Sequence, residues 1–398
     1  MPVSKELSLR LKALPEYLFV EIDRAKREVQ AKGVDVVDLG IVDPDRPTPD
    51  AIIRAMERAI NNPANHQYAT NYGMIEFRQE FAAWFSKRFG VELNPKTEVL
   101  PLLGSKEGIG HIPVAFVNPG DVVLVPDPGY PVYRSGTIIA GGEPYSMALL
   151  EDNFFLPALD DIPREIARRA RLMFINYPNN PTAAAASAEF FERVVEFAEK
   201  NDVIVCHDAA YSEMTYDGYV APSFLSVNGG KDLGIEFHSL SKTFNVTGWR
   251  IGFAVGNAEI IAGLAKVKSN VDSGMFQALQ EAGRAALSMD LSGFRASQMA
   301  IYQQRRDLLC DGLNEMGWRI EKPKGGLCVW ARLPDDVDSS SAALDLLRKV
   351  GVVVAPGIGF GKYGEGYVRI SLTAPEERIV EAIKRIKPVY SEWIRKGC

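Results

Sequence analysis

Short apolar runs recur along the middle of the chain, separated by polar stretches with a helical spacing of hydrophobic positions. The runs Val99–Leu103, Val122–Val125, Leu172–Ile175, Val203–Cys206, Ile235–His238 and Ile251–Val255 have the length and composition of buried strands. Between several of them the apolar residues recur every three or four positions, as in Ala188–Lys200, which predicts helices. This alternation predicts an α/β fold with a mainly parallel sheet covered by helices on both faces. Ligands of such sheets bind at the carboxyl ends of the strands. Before the sheet, residues 1–33 read as an arm and an amphipathic helix with Leu18, Ile22, Ala25 and Val29 on one face, and Val34–Leu39 as a short strand closed by the turn-rich Asp43–Pro49.

Beyond about residue 285 the texture changes. A long polar helix over Ser292–Met316 leads to strands at Leu327–Arg332, Val352–Ala355 and Tyr367–Leu372, with helices at Ala342–Lys349 and Pro375–Lys396. The pattern predicts a smaller α+β unit. The expected organisation is therefore an N-terminal arm contributing to the small unit (1–48), a large unit (49–284) and a small C-terminal unit (285–398). No internal repeat or low-complexity linker interrupts it.

Composition narrows the function classes. The chain has 398 residues, 46% hydrophobic and 24% charged, enough for a large core and a second unit. Its net charge is −6, with basic residues dispersed along the chain, so no nucleic-acid groove is expected and any phosphate needs a local site. The cysteines at 206, 310, 328 and 398 form no C-x-x-C, which favours reduced thiols in a cytoplasm over a disulfide framework or a zinc site. The histidines at 66, 111, 207 and 238 include no H-E-x-x-H, so no metal is expected. The N-terminus lacks an apolar signal core, and no run approaches the roughly 20 apolar residues that span a bilayer.

The chemistry concentrates in His238-Ser239-Leu240-Ser241-Lys242-Thr243-Phe244-Asn245-Val246-Thr247-Gly248-Trp249-Arg250, between two strand candidates. A lysine seldom goes inside unless it is paired or covalently occupied. Ser239, Ser241 and Arg250 suit a phosphate, and Lys242 can form an imine. Four further segments follow strand candidates. Asn176–Thr182 reads by itself as a turn, and Asp208-Ala209-Ala210-Tyr211 as a helix cap. Gly104–Ile109 has the composition of an anion-binding helix start, and Asp127–Tyr133 that of a rigid Pro-Gly turn with aromatic packing.

Each segment is weak alone, but their order and spacing together resemble the fold-type I, class I/II aminotransferases, which use pyridoxal 5′-phosphate. The signature S-x-S-K-x-x-x-x-x-G-x-R-x-G matches at Ser239–Gly252. The resemblance covers essentially the whole chain, from Asp38-Leu39-Gly40 to Tyr367-Val368-Arg369-Ile370-Ser371.

The resemblance implies a role for each matching position. Lys242 carries the cofactor as an imine and, once released by substrate, moves the α-proton. As an ordinary amine it would be a poor base at neutral pH, so its surroundings must lower its pKa. Asp208 keeps the pyridine nitrogen protonated. Tyr211 and Asn180 bond the 3′-oxygen, and Tyr130 stacks on the ring. Ser239, Ser241, Arg250 and the backbone at Ser105 and Lys106 form the phosphate cup, to which Tyr68 is added by a neighbouring subunit, implying a homodimer with shared sites. Arg369 clamps the substrate α-carboxylate, with Gly40 as a backbone contact. The family usually reads N-P-T-G where this chain has Ala183, so the loop is expected to differ locally with Asn180 in place.

Finer strings resemble one group within that family, the LL-diaminopimelate aminotransferases. They are Gly104–Ile109, Asn118–Tyr133, Asp272–Ala278 and Pro356–Gly361 with Gly364–Arg369. This resemblance implies exchange of an amino group between LL-diaminopimelate and 2-oxoglutarate in lysine biosynthesis, with small-molecule amino and 2-oxo acids as the only partners besides a second copy. Lys106, Tyr17 or Tyr72 is then expected to meet the substrate's distal end. Aspartate, alanine and aromatic aminotransferases share many of the same strings.

Other patterns compete less well. Gly359-Phe360-Gly361-Lys362-Tyr363-Gly364 spells G-x-G-x-x-G, but a strand and not a helix is predicted after it. Ser239-x-x-Lys242 mimics the box of serine acyl-transfer enzymes, yet the loose partner box at Ser226-Val227-Asn228 precedes it in the wrong order. His207 beside Asp208 reads as a packing residue in preference to a metal ligand. A DNA-binding fusion is discounted because only about 35 residues precede the sheet.

Overall fold

The computed structural model describes residues 5–14 and 19–396, so Tyr17, Leu18 and Cys398 lie outside the described residues. In chain order the strands are β1 (Val37–Asp38), β2 (Val99–Leu103), β3 (Val122–Asp127), β4 (Glu143–Ala148), β5 (Ala170–Asn176), β6 (Ile204–Asp208), β7 (Gly234–Ser239), β8 (Ile251–Gly256), β9 (Cys328–Arg332), β10 (Val352–Val353), β11 (Ala355–Pro356) and β12 (Tyr367–Ser371). Seven of them form one sheet in the order β2-β8-β7-β6-β5-β3-β4. Strand β8 runs antiparallel to β2 and β7, and the other neighbouring pairs are parallel, as the α/β pattern predicted.

The strands are apolar on both faces because helices cover both faces. On β5, Met173 and Ile175 enter one core with Phe77, Phe81 and Phe85 of the helix Ile75–Phe89 and with Phe191 and Val194 of Ala188–Asn201. The alternate residues Leu172 and Phe174 enter a second core with Ile109 and Ile112 of Ser105–Phe116 and Leu264 of Ala258–Val271. This period of two fixes which strand-end side chains face which layer.

A third core joins the two ends of the chain. Ile22, Ala25 and Val29 of Phe19–Ala31 pack with Leu309 and Leu313 of Ser292–Glu315, Leu346 and Leu347 of Ser339–Val350, and Ile379 and Ile386 of Glu376–Lys396. Beside it, β11-β12-β9 form an antiparallel sheet and β1 pairs in parallel with β10. The apolar run expected as one strand over Val352–Ala355 is thus divided between two sheets. Strand β4 has no counterpart in the sequence expectation. It is an edge strand with partly exposed residues, so it lacks the apolar run that marks the others.

One buried cation fixes the N-terminal segment over the strand ends. Arg305, 1% exposed, donates through Nη1 and Nη2 to the Asp45 carboxylate at 2.7 and 3.0 Å and through Nε to Glu376 at 2.9 Å. Replacing it removes the shared partner of two partly exposed carboxylates. Arg305→Leu is expected to lower unfolding free energy by about 2 kcal/mol, allowing for the partial exposure of both acids. Urea denaturation followed by circular dichroism measures this, and no change would mean that Asp45 is held by other contacts.

Candidate active site

Strands β2, β3, β5, β6 and β7 all end on one edge of the large sheet, at Leu103, Asp127, Asn176, Asp208 and Ser239. Because β8 is antiparallel, Arg250, the residue before it, arrives at the same edge.

Lys242 lies on the single helical turn Leu240–Thr243 that follows β7. Its Nζ donates to the Val42 carbonyl at 2.6 Å, and Gln298 Nε2 donates to its own carbonyl at 3.1 Å. Burial pushes the amine down to about 8; nearby Arg369 and Arg250 add to that, and Asp43 opposes it. The lowered basicity anticipated for this lysine is therefore present in the geometry.

Asp208, 6% exposed, accepts from the Tyr133 hydroxyl at 2.8 Å and from the Ala210 N–H at 3.3 Å. Burial pushes its carboxyl up, against the opposing effect of Tyr133. A cationic N–H placed against it would offset that burial. Asn176 cross-braces the strand ends: its Nδ2 donates to the Asp208 carbonyl at 2.6 Å and its Oδ1 accepts from the Asn180 N–H at 2.7 Å. Burial likewise raises the Tyr211 phenol.

Of the residues expected to form a phosphate cup, Ser239, Ser241, Arg250 and the backbone at Ser105 lie close together. Gly104 opens the helix Ser105–Phe116 at φ 77°, with no side chain capping the first N–H groups. A Cβ on Gly104 would overlap the Arg250 guanidinium, and one on Gly252 would lie 2.5 Å from the Ser105 nitrogen. Only glycine at both positions lets Arg250 and β8 approach this helix start so closely. The Ser241 hydroxyl is buried with no hydrogen-bond partner among the described residues, and Ser239 Oγ accepts from the Ser241 N–H at 3.2 Å. A guanidinium, uncapped N–H groups and an orphaned hydroxyl are the donor set that a phosphate dianion satisfies.

Arg369, on β12 and 6% exposed, donates from Nη1 to Asn180 Oδ1 at 2.7 Å and from Nη2 to the Gly40 carbonyl at 2.8 Å. Its Nε is buried and has no hydrogen-bond partner among the described residues, and its guanidinium carbon lies 4.7 Å from the centroid of the Phe360 ring. Gly40 has no space for a side chain, since a Cβ would lie 2.9 Å from Val353 Cγ1. Lys106 is exposed, with its Nζ 5.8 Å from the centroid of the Tyr130 ring.

Three expected residues are not drawn in by their own chain. Tyr68 is 90% exposed and Tyr72 is 47% exposed, and among the described residues neither makes a hydrogen bond or ring contact with the cluster, while Tyr17 lies outside the described residues. Tyr68 instead borders a cleft of about 660 Å³ with Ala69, Gly274 and Phe276. A larger open cleft, about 700 Å³ between Glu151 and Asp336, holds none of the expected residues. Ala183, where the family usually has glycine, is buried and itself takes φ 58°.

Sequence reasoning missed Tyr133, Asn176, the Val42 carbonyl and Phe360. Tyr133 and Asn176 lay inside quoted segments, but nothing in their spacing shows that they bond Asp208 and Asn180. Two of the competing patterns, the G-x-G-x-x-G stretch and His207, find no support in the geometry. The G-x-G-x-x-G stretch forms two 3₁₀ turns, Gly357–Phe360 and Lys362–Gly364, before β12. His207 is fully buried with Nδ1 3.4 Å from Glu236.

Comparison with known proteins gives the family. The model of the family aminotransferase class I and II matches residues 34–386. The chain is 56% identical over 378 residues to the LL-diaminopimelate aminotransferase of Desulforudis audaxviator, covering 95% of this chain and 96% of that one. Among solved structures it is similar to substrate-bound BacF from Bacillus subtilis, with a TM-score of 0.92 and 38% identity over 97% of this chain and 98% of that one. It is also similar to an aspartate aminotransferase mutant from Thermus thermophilus, with a TM-score of 0.91 and 30% identity over 97% of this chain and 100% of that one.

In the cofactor-free protein the Lys242 amine is expected to react with cyanate along a titration curve centred near pH 8, and Asp43→Asn is expected to move the midpoint lower still. Carbamylation rates read by peptide mass spectrometry test this; a midpoint near 10.5 would contradict the burial argument.

Proposed function

We propose that this chain, which belongs to the class I and II aminotransferases, is an LL-diaminopimelate:2-oxoglutarate aminotransferase that uses pyridoxal 5′-phosphate and serves lysine biosynthesis in the cytoplasm. One observation carries the reading. A half-buried lysine, a buried aspartate and a buried arginine come together at one sheet edge beside a donor set suited to a phosphate. The donor is suggested by the 56% identical relative of that name. The division into an arm (1–48), a large unit (49–284) and a small unit (285–398) is part of the same reading.

Bound pyridoxal phosphate supplies the electron sink that stabilises negative charge at the substrate α-carbon. Ser239, Ser241, Arg250 and the N–H groups at Ser105 and Lys106 would hold its phosphate, and Asp208 its ring nitrogen. Tyr130 would cover the ring face, and Asn180 and Tyr211 would bond the 3′-oxygen. The neutral amine of Lys242 accepts the α-proton. With a pKa of about 8, roughly one free amine in ten is neutral at pH 7, against roughly one in 3,000 at 10.5. Burial, helped by Arg369 and Arg250, thus leaves far more of this amine neutral than a solvated lysine would have. Tyr133 holds the Asp208 carboxylate in place. Arg369, with its plane fixed by Asn180 and the Gly40 carbonyl, clamps the α-carboxylate.

The high exposure of Tyr68 supports a homodimer in which Tyr68 of the partner subunit completes the phosphate cup. Lys106, Tyr72 and Tyr17 are the candidates for the distal, zwitterionic end of diaminopimelate. Lys106→Ala is expected to raise KM for dicarboxylate donors selectively. An equal loss of affinity for every donor would assign Lys106 to the phosphate.

The reading is tested with a donor panel of LL- and meso-diaminopimelate, aspartate, alanine, glutamate and phenylalanine, each supplied with an oxo-acid acceptor. LL-diaminopimelate is expected to lead in kcat/KM by about 100-fold, and Lys242→Ala to lower kcat by about 10⁴. A panel led by aspartate or phenylalanine would overturn the donor but leave the reaction class. Undiminished turnover in Lys242→Ala would overturn the reaction class as well.

A further inference from the structure

One buried cation has no part in that chemistry. Lys268, on the helix Ala258–Val271, is 1% exposed. Its Nζ donates to Glu107 Oε2 at 3.1 Å and Oε1 at 3.3 Å, and to Asp272 Oδ2 at 2.9 Å and Oδ1 at 3.0 Å. Burying an ammonium is costly, and two carboxylates in bonding range offset the loss of water.

Each carboxylate in turn holds backbone. Glu107 lies in the first turn of Ser105–Phe116, and its Oε2 accepts from the N–H of Leu103, the last residue of β2, at 2.7 Å. Its side chain therefore spans the Leu103–Lys106 turn, which carries the uncapped N–H groups. Burial alone would raise the Glu107 carboxyl, but His111, Lys268 and the Leu103 N–H outweigh it and keep it below the usual range. Asp272 Oδ1 accepts from the Gly274 N–H at 2.8 Å. Gly274, at φ 87°, sits so close to the Tyr68 segment that a Cβ would lie 2.6 Å from the Thr70 oxygen.

We infer that Lys268 is a positioning residue for the phosphate-binding turn: through Glu107 it fixes Leu103–Lys106, and through Asp272 it ties that turn to the Asp272–Phe276 segment beside Tyr68. The inference rests on the proposed use of pyridoxal phosphate. It assigns no contact with the cofactor to Lys268 itself.

The test is equilibrium binding to the full-length, cofactor-stripped chain with two probes, pyridoxal phosphate and pyridoxal, which lacks the phosphate. Lys268→Met is expected to weaken pyridoxal phosphate at least about tenfold and pyridoxal by no more than about twofold. Glu107→Gln keeps the shape and the acceptor for Leu103 but removes the charge pair, and is expected to weaken pyridoxal phosphate selectively by about threefold. Should Lys268→Met fail to fold, Glu107→Gln decides alone. Equal losses for both probes would mean a merely structural role and overturn the inference, as would wild-type affinity in a folded variant. Wild-type protein that bound neither probe would overturn the cofactor reading, a result distinct from either.

Discussion

The amine of Lys242 is kept out of water on a helix only one turn long, and that burial makes demands on segments far away in the chain. A turn of this length cannot hold its own geometry. Its carbonyl is bonded by Gln298 from the long helix Ser292–Glu315, and its amine by the Val42 carbonyl from the N-terminal segment. That segment is fixed by Asp45, and Asp45 by the buried Arg305. Arg369, from β12, lies close enough to disfavour the ammonium form. Both ends of the chain therefore converge on a side chain in its middle, and the third hydrophobic core, built from the first and last helices together, is the packing that holds them there.

Charge at the site is laid out in opposed pairs. On one side a carboxylate, Asp208, is buried and accepts, among the described residues, from a phenol and an amide N–H. On the other side stand two guanidinium groups, Arg250 and Arg369, to which the proposed function gives a phosphate and a carboxylate. Lysine between them is biased toward neutrality, which a base requires and a solvated lysine lacks. Close backbone approach makes the layout possible: Gly104 and Gly252 let Arg250 reach the helix start, and Gly40 lets its carbonyl reach Arg369.

Much of this was legible in the sequence for a physical reason. Strands covered on both faces are continuous apolar runs, so most strands of the large sheet announced themselves, and chemistry at their carboxyl ends followed from the parallel topology. Strand β4 was silent because an edge strand needs no apolar run. Val352–Ala355 read as one strand because a change of sheet between Val353 and Ala355 leaves no mark on hydrophobicity. Lys242, Asp208 and Arg369 were found through segments that repeat a family pattern. Their supports were not: the Tyr133–Asp208 bond spans 75 residues and the Lys268–Glu107 pair 161, and neither separation has a local signature. Ala183 shows the converse. Sequence identified the position as backbone-sensitive, yet the chain accepts φ 58° with alanine there, a strain of about 1–2 kcal/mol carried by a well-packed loop.

On the proposed reading Lys242, and no other of the chain's lysines, carries the cofactor. Borohydride reduction of the pyridoxal-phosphate-loaded protein, followed by peptide mass mapping, identifies the lysine. A single phosphopyridoxyl adduct is expected, on the peptide containing Lys242. An adduct on Lys106 or Lys268 with Lys242 unmodified, or no adduct from protein that shows the cofactor's visible absorption, would contradict it.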